Sequence, residues 1–313
     1  GSIILYQNGT TIQTINSNYY FYYGTQSYSW TIPSSVPIGS DYQIKLIVPS
    51  VGGFYSSTFS INSAGSGATG HSLSFDGVND YVMIPDADEL DGMNDLSIQM
   101  WLKFSSYSDY QSAQKGYTIL SKTETPSSSS DNNLNRSYEI FTSHDEHRLT
   151  FIMRTGNGEV GINLWNYQSQ MVLNTWYNLT VVYDGSEIKM YLNGALVSSG
   201  VYHTGSILST EYPVYFSKSL GNNETTYFNG NIDEVAIWND DLTAAEITKL
   251  YNSGNPLTAS TNSGDYTSSS NLKGYWQMNE GSGTYITDAS GNGNSGTLSG
   301  PTWSTDTPGG TSS

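Results

Sequence analysis

WYNLTVVYDGSEIKMYLNGALV, residues 176–197, decides the architecture. Asp184-Gly185 and Asn193-Gly194 are dipeptides that supply the positive φ angles of two-residue hairpin turns. Between them runs a strand in which Ile188, Met190 and Leu192 face one side while Lys189, Tyr191 and Asn193 face the other. The segment reads as an antiparallel meander.

Composition agrees along the rest of the chain. Only 12% of the 313 residues are charged, while Gly, Ser, Thr, Asn and Tyr are abundant. Helical surfaces normally carry Glu, Lys and Arg, so this usage favours short strands joined by tight turns. An aromatic content of 13% separates the chain from disordered Ser/Gly-rich sequences. With 28 acidic and 11 basic residues the net charge is -17, and the basic residues are scattered. Nothing here releases phosphate counterions, so neither nucleic acid nor membrane insertion is expected among its partners. Cysteine is absent, which removes disulfide scaffolds, thiol catalysis and Cys-ligated zinc. The opening GSIILYQNG is not a signal peptide, and the chain is expected to be a processed or excised part of something longer.

Residues 1–63 form one unit by pattern. Ile3–Tyr6, Thr11–Ile15, Tyr28–Ile32, Tyr42–Val48 and Phe54–Ile61 are β-rich runs separated by turn signals. Five strands fall short of the seven of an immunoglobulin-like sandwich, so an edge is expected to be missing. Residues 64–70 have linker composition, residues 71–308 make a second domain, and residues 309–313 form a tail. One helix stands out. Thr243 and Glu246 make a capping box, Leu242, Ile247, Leu250 and Tyr251 share an apolar face, and Gly254 and Pro256 end it. Its expected role is to cover an open edge or end of the sandwich.

LSFDGVNDYVMIP (73–85), LSIQMWLKF (96–104), the meander, YFNGNIDEVAIWNDDLTAAEI (227–247), GYWQMNEGSG and DASGNGNSG together resemble the laminin-G-like, concanavalin A-type jelly roll of secreted bacterial proteins. LYQNG, YSWTIP and GSDYQIKL in the first unit resemble the immunoglobulin-like spacer modules of cell-wall-associated proteins. The expected fold is all-β: a short immunoglobulin-like sandwich, then a two-sheet antiparallel jelly roll with one short helix. The GYW block comes last here, so residues 271–308 are expected to complete the same domain. The jelly-roll resemblance implies a lectin-like or adhesion module, usually with bound calcium, at an extracellular or cell-surface location. The implied partner is a polysaccharide or glycan.

Calcium takes six to eight oxygens, and Gly-rich turns expose carbonyls for it. Asp76 in FDGVND, Asp233 in NIDEV and Asp288 in DASGNGNSG are the expected carboxylate ligands, with Asn292 or Asn294 completing the shell. The acidic run DADELDGMND departs from an EF-hand loop and reads as a solvated loop.

Catalysis is not expected. Asp233 and Glu234 are adjacent, and neighbours on a strand face opposite ways, so they do not make a glycosidase pair. His144 to His147 (HDEH) reads as a polar hairpin loop rather than a metal motif. Sugars stack on aromatic rings, and Tyr107, Tyr110, Trp165, Tyr167 and Trp303 occupy loop-like positions. N-x-S/T sequons occur at Asn8, Asn135, Asn178 and Asn223, with Asn178 placed poorly inside a strand. A competing reading makes the protein a fibre subunit that self-assembles with neighbouring chains by strand donation to the incomplete first sandwich.

Overall fold

A computed structural model describes residues 1–7, 10–18, 39–49, 51–56, 59–61, 70–107, 116–123, 136–143, 147–220 and 227–309. Tyr110, most of the linker, His144 to Glu146, the Tyr28–Ile32 run and the sequons at Asn8, Asn135 and Asn223 lie outside them. The chain divides into two compact units, Gly1–Ser66 and Gly67–Ser313.

The first unit holds β1 (Ser2–Gln7), β2 (Thr10–Asn16), β3 (Gly39–Val48), β4 (Gly52–Tyr55) and β5 (Phe59–Ile61). They form one antiparallel sheet in the order β2, β1, β3, β4, with β5 also on β3. Leu5 and Tyr42 are buried at its centre against Ile12, Ile15 and Ile44. The second layer of an immunoglobulin-like sandwich is not among the described residues.

The second unit begins with β6 (Ser72–Asp76), β7 (Tyr81–Ile84), β8 (Leu96–Phe104), β9 (Thr118–Thr123), β10 (Arg136–Ser143), β11 (Arg148–Thr155) and β12 (Gly158–Trp165). A single turn of helix, α1 (Tyr167–Gln170), leads to β13 (Trp176–Tyr183), β14 (Glu187–Leu192), β15 (Ala195–Tyr202), β16 (Val214–Phe216) and β17 (Asn229–Trp238). Helix α2 (Ala244–Tyr251) precedes β18 (Leu272–Trp276), β19 (Tyr285–Ile286), β20 (Gly296–Ser299) and β21 (Thr302–Ser304). One sheet runs β12, β11, β10, β9, β16, β7, β20, β19, and the other β15, β14, β13, β8, β17, β6, β21, with β18 added on β17.

The meander forms as its alternation predicts. Ile188, Met190 and Leu192 point into the core between the sheets, while Tyr191 packs on the opposite face. Asn193 (φ 51) and Gly194 (φ 77) both hold the left-handed angles of the second turn. Every residue of β8 is buried: Leu96, Ile98, Met100, Leu102 and Phe104 enter the central core, and Ser97, Gln99, Trp101 and Lys103 face the other way.

That second face is covered rather than wet. Ala236, Trp238, Leu242, Ile247, Leu250, Ala259, Tyr266, Leu272 and Tyr275 make a separate apolar cluster over it. The capping box of α2 is present, with Thr243 Oγ1 accepting from Glu246 N and the Glu246 carboxylate accepting from Thr243 N. Glu246 also accepts from Thr267 N and the Ser268 hydroxyl, tying the helix to the segment that follows it. The helix therefore covers a sheet face, where an edge or end was expected.

Residues after 271 enter both sheets: β18 pairs with β17, β21 with β6, and β20 with β7. Trp276 is fully buried and donates from Nε1 to the Asn294 carbonyl at 2.7 Å. A Cβ on Gly274 would lie 2.4 Å from that indole, which explains the Gly of the GYW block. Gly274→Ala is therefore expected to destabilise the second unit by roughly 1–3 kcal/mol. Gly156→Ala, where a Cβ meets nothing within 4 Å, should be near neutral in the same urea titration.

Candidate functional site

The expected calcium ligands do not share a site. Asp76 closes the turn after β6, its Oδ1 accepting from Val78 N at 2.8 Å. Asp233 is 1% exposed within β17 and accepts from Glu234 N at 2.9 Å. Asp288, Asn292 and Asn294 do come together, but as a backbone clamp. The Asp288 carboxylate accepts from Tyr275 N, Ser290 N, Ser290 Oγ and Asn294 N, two donors on each oxygen. The amides of Asn292 and Asn294 donate to the Lys273 carbonyl. Among the described residues no three His, Asp or Glu side chains are placed to hold one metal ion. The proposed set does not fit calcium, because donors already fill the Asp288 oxygens and the other two carboxylates lie elsewhere.

The run expected to be a solvated loop is partly an anchor. Asp91 is buried, 3.1 Å from the fully buried ammonium of Lys122, and it accepts from Thr210 N and Ser209 Oγ. Asp86 makes a second ion pair with Lys122. Removing Lys122 would leave the buried Asp91 carboxylate without its counter-charge.

Strand alternation fails at Asp233 and Glu234. The register of β17 against β8 slips between Asp233 and Ala236, and Glu234 takes a left-handed φ of 50°. The two acids, expected on opposite faces, instead influence each other. Burial pushes Glu234 up to about 7 against the lowering effect of the Tyr275 hydroxyl, which donates to it. Burial, and then the Glu234 charge, push Asp233 well above the usual carboxylate range.

Of the aromatic candidates, Tyr167 is fully buried in the core and Tyr107 donates its hydroxyl to the Gln168 and Met171 carbonyls. Trp303 donates from Nε1 to the Gly283 carbonyl and packs against the core. Trp165, 53% exposed at the end of β12, presents its ring, with the Arg148 guanidinium 5.8 Å from its centroid. Asn163 and Thr150, paired across β12 and β11, lie two residues along the same face, joined by a 2.8 Å hydrogen bond from Thr150 Oγ1 to Asn163 Oδ1.

The same outward face carries a second aromatic pair. Val82 and Ile84 point into the core from β7, and Val214 and Phe216 from β16, which turns Tyr81 and Tyr215 outward. Their rings stand 5.8 Å apart at 66°, and the Lys218 ammonium lies 4.2 Å from the centre of one and 5.1 Å from the other. Alternation in DYVMI and VYF is the signal the sequence holds for these tyrosines.

The laminin G family model that describes the concanavalin A-like lectin/glucanases superfamily matches residues 76–248, more than half of the chain. The chain belongs to that superfamily. No curated protein sequence matches this superfamily member. A candidate carbohydrate binding protein from Bacteroides ovatus is similar in structure, with 14% identity, a TM-score of 0.54, and coverage of 85% of this chain and 69% of that one. The heptameric SAP-like pentraxin of Limulus polyphemus has 13% identity and a TM-score of 0.41, covering 58% of this chain and 82% of that one. Domains LG4-5 of the mouse laminin α1 chain have 13% identity and a TM-score of 0.39, covering 74% and 58%. Identities at this level concern the fold alone, and the superfamily holds both binding proteins and glucanases.

Two outcomes follow from the geometry. Asp288→Ala should lose roughly 2–4 kcal/mol through its orphaned N–H donors, and by the same amount in calcium as in EGTA. Thermal melts in both buffers measure this, and a loss confined to calcium would restore the metal reading. Glu234 is more protonated in the folded state, so its stabilising contribution is complete below its ordinary value of 4.5 and disappears as pH rises through about 7; Asp233 is shifted in the same direction, in part by the Glu234 charge. Melting temperature should fall over that window, and Asp233→Asn should flatten the fall.

Proposed function

We propose that the second unit is a non-catalytic, lectin-like carbohydrate-binding module of a secreted or surface protein, with an adhesive role. Its glycan lies on the outward face of the sheet that carries Trp165. The observation that carries this reading is Trp165 itself. An indole left 53% exposed offers a flat apolar face to the C–H side of a sugar ring, and the Arg148 guanidinium near the ring supports its orientation. Thr150 Oγ1 occupies the Asn163 carbonyl oxygen, which turns the Asn163 amide N–H groups toward a sugar hydroxyl.

Against hydrolysis stands the burial of Asp233. A glycosidase must bring two carboxyl groups to the scissile bond. Asp233 is 1% exposed, and the half-buried Glu234 is engaged by the Tyr275 hydroxyl. An extracellular setting is consistent with a cysteine-free acidic chain, and among the described residues no helix is long and apolar enough to cross a membrane.

A glycan array probed with and without calcium tests the reading. Binding should survive EGTA, and Trp165→Ala should weaken it by about tenfold, ~1.4 kcal/mol. A blank array at high protein concentration would sink the proposal.

A further inference from the structure

Lys122 stands where its sheet calls for an apolar side chain. It pairs with Val214 on one side and Tyr138 on the other, and Val214 pairs in turn with Ile84. Directly paired residues share a face, and those three belong to the core between the sheets. The lysine therefore points inward, and its side chain is fully buried.

Four oxygen partners surround its Nζ. Asp86 is in contact, the Tyr212 carbonyl lies at 2.6 Å, and the Thr210 carbonyl and Asp91 Oδ2 each lie at 3.1 Å. An ammonium has three N–H donors, so a plain ion pair leaves one of the four acceptors without a proton. It also sets two carboxylates against one cation where Lys122 and Asp91 are buried, and an unmatched buried charge is costly. With one proton moved from nitrogen to a carboxylate, the neutral amine keeps two N–H groups for the two carbonyls and has a lone pair for a carboxyl carbon.

The two acids are not equivalent. Asp91 is held on both oxygens, Oδ1 accepting from the Ser209 hydroxyl and Oδ2 from Thr210 N. Asp86 has no partner other than Lys122 among the described residues, and its side chain is 30% exposed, which gives a departing water an exit.

We propose that Lys122 and Asp86 condense to an intramolecular amide, with Asp91 as the proton carrier. The Lys122 amine attacks Asp86 Cγ, the Nζ–Cγ bond forms and the Cγ–OH bond breaks. Asp91 accepts a proton from the nitrogen and returns it to the hydroxyl, which leaves as water. No oxidant, reductant or co-reactant takes part. The fold holds amine and carboxyl together, which supplies the effective concentration that condensation in bulk water lacks. A charged pair becomes a neutral amide whose remaining N–H can still reach the Tyr212 carbonyl. The link closes a ring from residue 86 to 122 that includes β8, and it restricts the unfolded chain as a disulfide would in a protein that has no cysteine.

The intact mass of the denatured full chain tests the link. It should be lighter than the sequence by one water, and proteolysis should release a branched peptide joining the segments around Asp86 and Lys122. The full sequence mass overturns the proposal. So does a deficit that mild alkali reverses, which marks a succinimide at an Asp-Gly dipeptide such as Asp76-Gly77 or Asp91-Gly92, and so does a branch at Asp91 in place of Asp86. Lys122→Met, a substitution suited to an inward position, should show its own full mass, and a deficit that persists there overturns the link. Asp91→Asn keeps the shape of the site without the proton carrier and should leave most of the chain unlinked; complete linkage in that variant overturns the part given to Asp91.

Discussion

Strand β17 is buried on both faces, and much of the second unit follows from that. Ile232, Val235 and Ile237 belong to the core between the sheets, while Ala236 and Trp238 belong to the outer apolar cluster. A strand that is apolar on both sides needs two covers. The opposing sheet is one. The other is α2 with the segment up to β18, which is why a helix appears in an otherwise β structure.

A second cover built largely from loop must satisfy its own polar groups, because water does not reach them. Glu246 does this for several donors at once, and its pKa is lowered to about 2 because hydrogen bonds from Thr243, Ser268 and Thr267 outweigh the opposing effect of burial. The Trp238 indole N–H finds the Tyr266 hydroxyl, which in turn donates to the Ala259 carbonyl. Asp288 performs the same service for the loop beside β18. Side chains that resembled metal ligands thus serve the backbone, and they do it where disulfides are absent.

The meander and the capped helix were legible in the sequence because their signals are local: alternation, paired turn dipeptides, and a Thr–Glu spacing that the chain satisfies within a few residues. What the helix covers was not local, since it depends on the outward residues of β8 and β17. The bulge at Asp233 and Glu234 escaped for a related reason. Period-two reasoning assumes unbroken pairing, and the slip against β8 is a property of two strands far apart in sequence. The candidate ligands Asp76, Asp233 and Asp288 shared a residue type but not a location. Asn178 was correctly judged a poor glycan acceptor: it is fully buried, with its carbonyl oxygen accepting from Gln99 and Thr180. Tyr81 was hidden by motif membership, as alternate positions of a half-buried strand hold outward residues as well as core ones.

The placement of β21 beside β6 bears on how the molecule is made. Ser72 and Asp306, joined by a hydrogen bond between these two regions, stand 234 residues apart. Emerging from a ribosome, the chain can assemble the β13 to β15 meander at once, since its contacts are short-range. The flank of β6 has no such opportunity and stays an open row of N–H and C=O groups until the last strands are synthesised. Until β21 emerges the sheet carries an unguarded margin, and its long-range closure is the stage at which holdase chaperones would matter most.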